Sequence, residues 1–176
     1  MGDCRECCSG GSCCPQGHNG KQLLIDFLYL DLSVCERCQG AESNLDQALD
    51  EVSGVLKAAS FDIEVNKVNI NSKELAIKYQ FESSPTIRVN GIDVQLDVKE
   101  SSCKECGDLC GDDIDCRVYV YEGVEYSFPP KAMIINAILK SVYGERKIEP
   151  CTQAKYELPD NLQRFFDGIS SRQHHR

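Results

Sequence analysis

Two cysteines separated by two residues form the motif Cys35-Glu36-Arg37-Cys38. An apolar run precedes this motif and an amphipathic segment follows it, so it lies where a predicted strand meets a predicted helix. Unpaired backbone N–H groups and the helix dipole at such a position favour a thiolate, the attacking species of thiol–disulfide exchange. The motif therefore predicts a redox-active dithiol, with Cys35 as the nucleophile and Cys38 as the resolving thiol. A metal clip and an inert pair are the alternatives.

A second group of cysteines lies in a segment rich in glycine and aspartate, which we predict to be a loop. Its members are Cys103, Cys106, Cys110 and Cys116. Four thiols at this spacing are typical of a tetrahedral zinc site, and an iron–sulfur cluster is another interpretation. Two disulfides, or a redox relay to Cys35 and Cys38, would also fit. No organic cofactor is expected, since no glycine-rich phosphate loop occurs in a suitable context.

The first twenty residues contain five more cysteines and almost no bulky apolar residues, which predicts a flexible tail without a core of its own. These tail cysteines are Cys4, Cys7, Cys8, Cys13 and Cys14. They include vicinal pairs that suit soft metal ions or trivalent arsenic. The alternative is that these unstructured thiols bind metal ions only opportunistically. Cys151 is expected to be a lone thiol.

Composition and charge exclude several classes of function. The chain has 176 residues, of which 41% are hydrophobic and 27% are charged, with a formal net charge of -9. Such a negative charge argues against a protein that binds along a nucleic-acid backbone, because the phosphates of the backbone are also negative. The longest apolar stretch is interrupted by Asp26 and Asp31, and no signal peptide is evident, so we expect a cytoplasmic protein without a membrane segment. In a reducing compartment, 12 cysteines favour metal binding or redox chemistry over a disulfide framework.

The dithiol must be positioned by the elements around it. Apolar residues over 23–32 predict a strand buried on both faces, and helical spacing over 42–59 predicts a long helix. A strand over 61–70 and a short helix over 72–81 follow, and Asn90-Gly91 predicts a β-hairpin. A second hairpin is expected around Glu122-Gly123. A helix is expected to follow Pro129-Pro130 and to close the core domain near 144, and a short last helix is expected through 158–166.

This order of elements, together with Cys35-Glu36-Arg37-Cys38 and Ser84-Pro85-Thr86, resembles the thioredoxin superfamily over residues 21–143. The resemblance implies an α/β thioredoxin-like three-layer sandwich with a mixed central sheet. It also implies a cis Ser84–Pro85 bond, with Ser84 and Pro85 binding an extended substrate peptide. Protein disulfides would be the substrates, and a partner reductase would supply electrons.

Other segments resemble an uncharacterised cysteine-rich, thioredoxin-like family, which carries no established reaction. They include Cys106-Gly107, Cys116-Arg117-Val118 and the run from Pro129 to Ile135. We thus expect a tail over 1–20, a thioredoxin-like domain over 21–144 with a cysteine-rich insertion over 101–116, and a C-terminal extension over 145–176. The predicted function is a protein disulfide reductase. The alternative is a thiol-rich metal or metalloid binding protein on the same scaffold.

Overall fold

The computed structural model describes residues 21–144 and 155–173. The tail cysteines and Cys151 therefore lie outside the described residues. Across the described ranges, no helix combines the length and the apolarity that crossing a bilayer requires.

A mixed four-stranded sheet forms the centre of the fold. Its strands are β1 (Lys21–Tyr29), β2 (Phe61–Asn69), β3 (Thr86–Val89) and β4 (Ile92–Asp93), in the order β2-β1-β3-β4. Strand β1 pairs in parallel with β2 and antiparallel with β3. Strand β1 is the most apolar of these four strands. Both of its faces are covered, as its near-continuous apolar run predicts.

Helices cover both faces of the sheet. They are α1 (Glu36–Ala58), α2 (Lys73–Lys78), α3 (Lys104–Cys110), α4 (Lys131–Tyr143) and α5 (Asp160–Gln173). Leu45 of α1 and Ile138 of α4 share one core with Ile25 and Phe27. Leu28 belongs to a second core, to which α2, α3 and α5 contribute. The expected α/β class, a mixed sheet in the layout of a thioredoxin-like sandwich, is confirmed.

The Asn90-Gly91 turn connects β3 to β4 as predicted. Both residues have positive φ values, 51° and 80°, which this pair tolerates better than other residues. The strand after this turn is short, since β4 comprises only Ile92–Asp93. The Ser84–Pro85 bond is cis, in agreement with the resemblance.

The cysteine-rich insertion is more regular than predicted. It was expected over 101–116, but the structure joins it to its neighbours in one unit over 99–126, which we call the insertion from here on. This unit contains β5 (Lys99–Ser102), helix α3, β6 (Asp115–Tyr121) and β7 (Val124–Tyr126), and its strands form a separate antiparallel sheet in the order β5-β6-β7. The prediction of a loop between Cys103 and Cys116 was wrong for α3. This helix begins after Cys103 and ends at Gly111, whose φ of 81° is the left-handed conformation that commonly terminates helices.

Helix α5 is part of the core, although the sequence suggested that the core domain ends near Gly144. Leu162, Phe165 and Phe166 are buried in the same core as the described cysteines. Asn161 fastens the start of α5 to β6, because its side-chain oxygen accepts from Asp115 N at 3.0 Å and its amide donates to Asp115 O at 2.8 Å. The last helix therefore covers the cysteine-rich region.

We expect Phe165→Ala to lower the free energy of unfolding by about 3–5 kcal/mol, because it leaves a cavity in this core. Phe165 is 4% exposed. Urea unfolding followed by circular dichroism measures the change. Arg164→Ala, an exposed neighbour on the same helix, is the control and should change stability by no more than about 0.5 kcal/mol. Equal effects of the two variants would show that α5 is not docked.

Candidate metal centre

Cys35 and Cys38 occupy the start of α1. Cys35 is the N-cap residue and Cys38 lies in the first turn, and both are fully buried. The preceding turn is fixed by Asp31, whose Oδ1 accepts from Ser33 N at 2.7 Å and from Val34 N at 2.8 Å. The chain therefore turns sharply after β1 and directs Cys35 into the protein.

Four sulfur atoms from distant parts of the chain converge above this helix end. The Sγ atoms of Cys35, Cys103, Cys106 and Cys116 all lie within 4.8 Å of one another, and all four residues are buried. The Sγ atoms of Cys106 and Cys116 are 3.4 Å apart. We call this group the four-cysteine cluster. It has the number and type of ligands that a tetrahedral metal ion requires.

Each cysteine of the cluster is held by regular structure. Cys103 is the N-cap of α3, and its backbone N donates to Ile114 O at 2.8 Å. Cys106 follows in the first turn of α3, and Cys116 lies on β6 opposite Ser101 of β5. The start of α1 therefore meets two elements of the insertion, α3 and β6.

Arg37 joins these two parts of the fold. Its Nη1 donates to Cys116 O at 3.0 Å, and its Nη2 donates to Ser102 O at 2.7 Å and to Ser101 Oγ at 3.0 Å. The guanidinium group therefore binds β5 and β6 at the residues next to the cluster. Arg37 belongs to the Cys-x-x-Cys motif, and it holds β6, the strand that carries Cys116, against α1.

Cys110, which the sequence grouped with the other insertion cysteines, is not part of the cluster. Cys35 is the fourth member of the cluster instead. Seven residues of helix rise by about 10 Å, so once α3 forms, Cys110 lies too far from Cys103 to share an ion. Its Sγ instead donates weakly to Gly107 O at 3.7 Å and Asp112 O at 3.8 Å. Helix α5 packs directly on it at Gly168.

Cys38 lies beside the cluster rather than within it. Its Sγ is 3.3 Å from Ser84 Oγ, which also accepts from Leu30 N at 3.1 Å. Cys38 follows Cys35 in the first turn of α1. A fifth buried thiol therefore lies between the start of α1 and the cis-proline segment.

Ser84 and Pro85 face the insertion rather than an open surface. Ser84 is 1% exposed, and its carbonyl accepts from Arg117 N at 2.7 Å. Tyr119 Oη donates to Pro85 O at 2.7 Å. Strand β6 thus makes the backbone contact that the thioredoxin resemblance implied for an extended substrate peptide.

Arg117 anchors β6 to the hairpin of the central sheet. Its guanidinium group is 1% exposed and forms an ion pair with Asp93 at 2.7 Å. It also donates to Thr86 Oγ1 at 2.8 Å and to Gln95 O. Its Nε has no hydrogen-bond partner among the described residues. Such a buried cation requires its carboxylate partner, so Asp93 helps to determine where Cys116 lies.

The surroundings shift the pKa values of these thiols in different directions. Hydrogen bonds from Cys103, Cys106 and Cys116 hold the pKa of Cys35 well below its ordinary value, although burial raises it. Hydrogen bonds from Cys106 and Cys116 also lower the pKa of Cys103. Hydrogen bonds to Cys103 raise the pKa of Cys106 and of Cys116. A hydrogen bond to Cys35, and then burial, raises the pKa of Cys38.

The fold and the site together define an α/β protein in which an insertion closes a buried four-cysteine cluster over the start of a helix. The chain belongs to the family described as Domain of unknown function (DUF2703), which matches residues 23–138. The match begins in β1, ends in α4 and includes the whole cluster. No curated protein and no solved structure matches the chain.

We expect Asp93→Asn to destabilise the protein by about 3 kcal/mol, because it leaves the buried Arg117 cation without a charged partner. Asp97→Asn is the control, since Asp97 is exposed and forms no ion pair among the described residues. Urea unfolding of the metal-free protein measures both. A change of less than about 0.5 kcal/mol for Asp93→Asn would contradict this role.

Proposed function

We propose that this protein binds one thiophilic metal ion, with Zn²⁺ as the preferred candidate, between the Sγ atoms of Cys35, Cys103, Cys106 and Cys116. The observation that carries the proposal is the mutual approach of these four buried sulfur atoms to within 4.8 Å. Thiolate ligands select zinc and similar soft or borderline ions over Mg²⁺ and Ca²⁺.

The spacing of the sulfur atoms supports a single ion rather than an iron–sulfur cluster. A tetrahedral ion with zinc–sulfur bonds of about 2.3 Å places its ligand atoms about 3.8 Å apart. The separations in the four-cysteine cluster are 3.4 Å for Cys106 and Cys116 and at most 4.8 Å for any pair. In an iron–sulfur cluster, thiolates on different irons are separated by bridging sulfides and must lie farther apart.

Burial and hydrogen bonding support metal binding over turnover of external disulfides. Cys35 is fully buried, and Ser84 O is already bonded to Arg117 N. A substrate disulfide would reach Cys35 only after β6 left its place. An ion is small enough to be held where the insertion meets α1, and it would cross-link these two parts. Binding to the folded state alone also stabilises that state.

The test compares two cysteines of the insertion. We expect Cys116→Ser to weaken zinc binding at least about 100-fold, because it leaves three thiolate ligands, whereas Cys110→Ser should bind as tightly as the parent protein. Both variants are made in the full-length chain with the tail cysteines replaced by serine. Competition with a chromophoric chelator measures the affinity, and elemental analysis measures the stoichiometry, expected to be about one ion per chain.

Equal affinity of Cys116→Ser and Cys110→Ser for zinc would contradict the proposed ligand set. A parent protein that retains no metal under these conditions would contradict the function itself. Circular dichroism of each metal-free variant controls for loss of the fold.

Thiol–disulfide exchange by Cys35 and Cys38 is a second candidate function. It is favoured by the position of Cys35 as the N-cap of α1 and by the contact of Cys38 Sγ with Ser84 Oγ beside the cis-proline. Because both thiols are buried under the insertion, this chemistry would require β5–β7 to move away. It would then belong to the metal-free protein.

We expect the metal-free protein to form a Cys35–Cys38 disulfide reversibly, with a midpoint potential between about −150 and −300 mV, and the zinc-loaded protein not to form it. Alkylation of free thiols in a redox buffer series, followed by peptide mass spectrometry, measures this. Cys38→Ser is the control that should abolish the transition. If zinc-loaded protein forms the disulfide at the same potential with its zinc retained, Cys35 is not a metal ligand and the second candidate replaces the first.

A further inference from the structure

A cavity of about 570 Å³ lies beside the four-cysteine cluster. It is bordered by the end of β5, by α3 and the segment that follows it, and by Arg172 of α5. Cys103 forms part of its wall, whereas the other three cysteines of the cluster do not line it. In the described part of the chain, this cavity therefore extends from the surface to Cys103, which is 2% exposed.

The cavity has room for a hydrated metal ion. One water occupies about 30 Å³ in the liquid, so an ion with six waters needs about 200 Å³. The cavity is larger than this. By volume, the cavity therefore accommodates an ion with its first hydration shell beside the wall to which Cys103 contributes.

The charges around the cavity favour a cation. Its wall includes the carboxylates of Asp108, Asp112 and Asp113 and the cations of Lys104 and Arg172. Arg172 donates to the carbonyls of Asp108 at 2.6 Å and Leu109 at 3.0 Å, so its charge is directed at the end of α3. Carboxylates at the mouth of a cleft raise the local concentration of cations and speed their association.

We propose that a hydrated divalent cation enters and leaves the four-cysteine cluster through this cavity, and that Cys103 is the first sulfur it binds. The proposal rests on the proposed metal-binding function and adds the route to it. In the first step, one metal–water bond breaks and one metal–sulfur bond forms at Cys103, and the released water passes to solvent. The other waters leave as the sulfurs of Cys35, Cys106 and Cys116 bind in turn. Any proton held on one of the four thiols passes to solvent when its sulfur binds the ion.

The experiment measures how fast Co²⁺ binds to the metal-free protein, by stopped-flow detection of the sulfur-to-cobalt charge-transfer band. All proteins are full-length with the tail cysteines replaced by serine. The charge variant is Asp108→Asn with Asp113→Asn. Its control is Asp62→Asn with Glu64→Gln, which removes the same charge from β2 at the opposite end of the sheet.

We expect the charge variant to take up Co²⁺ about three- to tenfold more slowly than the parent at about 10 mM ionic strength. The difference should disappear near 1 M salt, where the screening length is about 3 Å. The β2 control should stay within twofold of the parent at both ionic strengths. This comparison separates a local effect of the cavity from an effect of net charge.

A second variant, Lys104→Trp, places a bulky side chain on the exposed rim of the cavity. It also removes a positive charge, which by itself would speed the uptake of a cation. Slower uptake and slower release of Co²⁺, with the equilibrium affinity unchanged, are therefore expected if the side chain blocks the route. The proposal is overturned if neither the charge variant nor Lys104→Trp slows uptake at least twofold. The amplitude of the charge-transfer band reports separately on the proposed function, since its absence in the parent would overturn metal binding together with the route.

Discussion

The rest of this structure depends on one constraint. Four sulfur atoms lie within 4.8 Å of one another in a buried space. Two thiolates about 4 Å apart repel each other by about 4 kcal/mol at an effective dielectric constant of about 20. Four ionised thiols would therefore be unstable without a cation between them. In the metal-free protein, protons shared among these thiols relieve the repulsion, and a divalent metal ion would replace those protons.

The surrounding contacts keep the four cysteines in place although these residues come from separate parts of the chain. Arg37 binds the carbonyls of Ser102 and Cys116, and Arg117 is held by Asp93 and Thr86. These two arginines attach the same strand, β6, to α1 and to the β3–β4 hairpin. The insertion is consequently packed over the start of α1, where a thioredoxin-like protein would expose its dithiol. The same packing that builds the cluster therefore also buries Cys35 and Cys38.

Much of the central sheet could be predicted from the sequence, because its signals are local. The apolar run of β1, the helical periodicity of α1 and the Asn90-Gly91 turn each depend on neighbouring residues. The position of Cys35 and Cys38 at the start of a helix followed from the same signals. Strand β5 gave no signal, since Lys99–Ser102 is exposed throughout and has no apolar alternation.

The composition of the cluster could not be predicted, because it depends on long-range packing. The spacing of Cys103, Cys106, Cys110 and Cys116 fits a four-ligand site if the segment is a loop, but helix α3 carries Cys110 away from Cys103. The ligand that completes the set, Cys35, lies far away in the sequence, and no local pattern links it to the insertion. The role of α5 depends likewise on tertiary contacts of Leu162 and Phe166 with this region.

X-ray absorption spectroscopy at the zinc edge tests the central claim most directly. The protein would be full-length, with the tail cysteines replaced by serine and loaded with one equivalent of zinc. The account predicts four sulfur neighbours at about 2.3 Å, four again in Cys110→Ser, and three in Cys35→Ser, with a lighter atom completing the shell. Four sulfur neighbours retained in Cys35→Ser, or a shell dominated by oxygen and nitrogen in the parent, would contradict it.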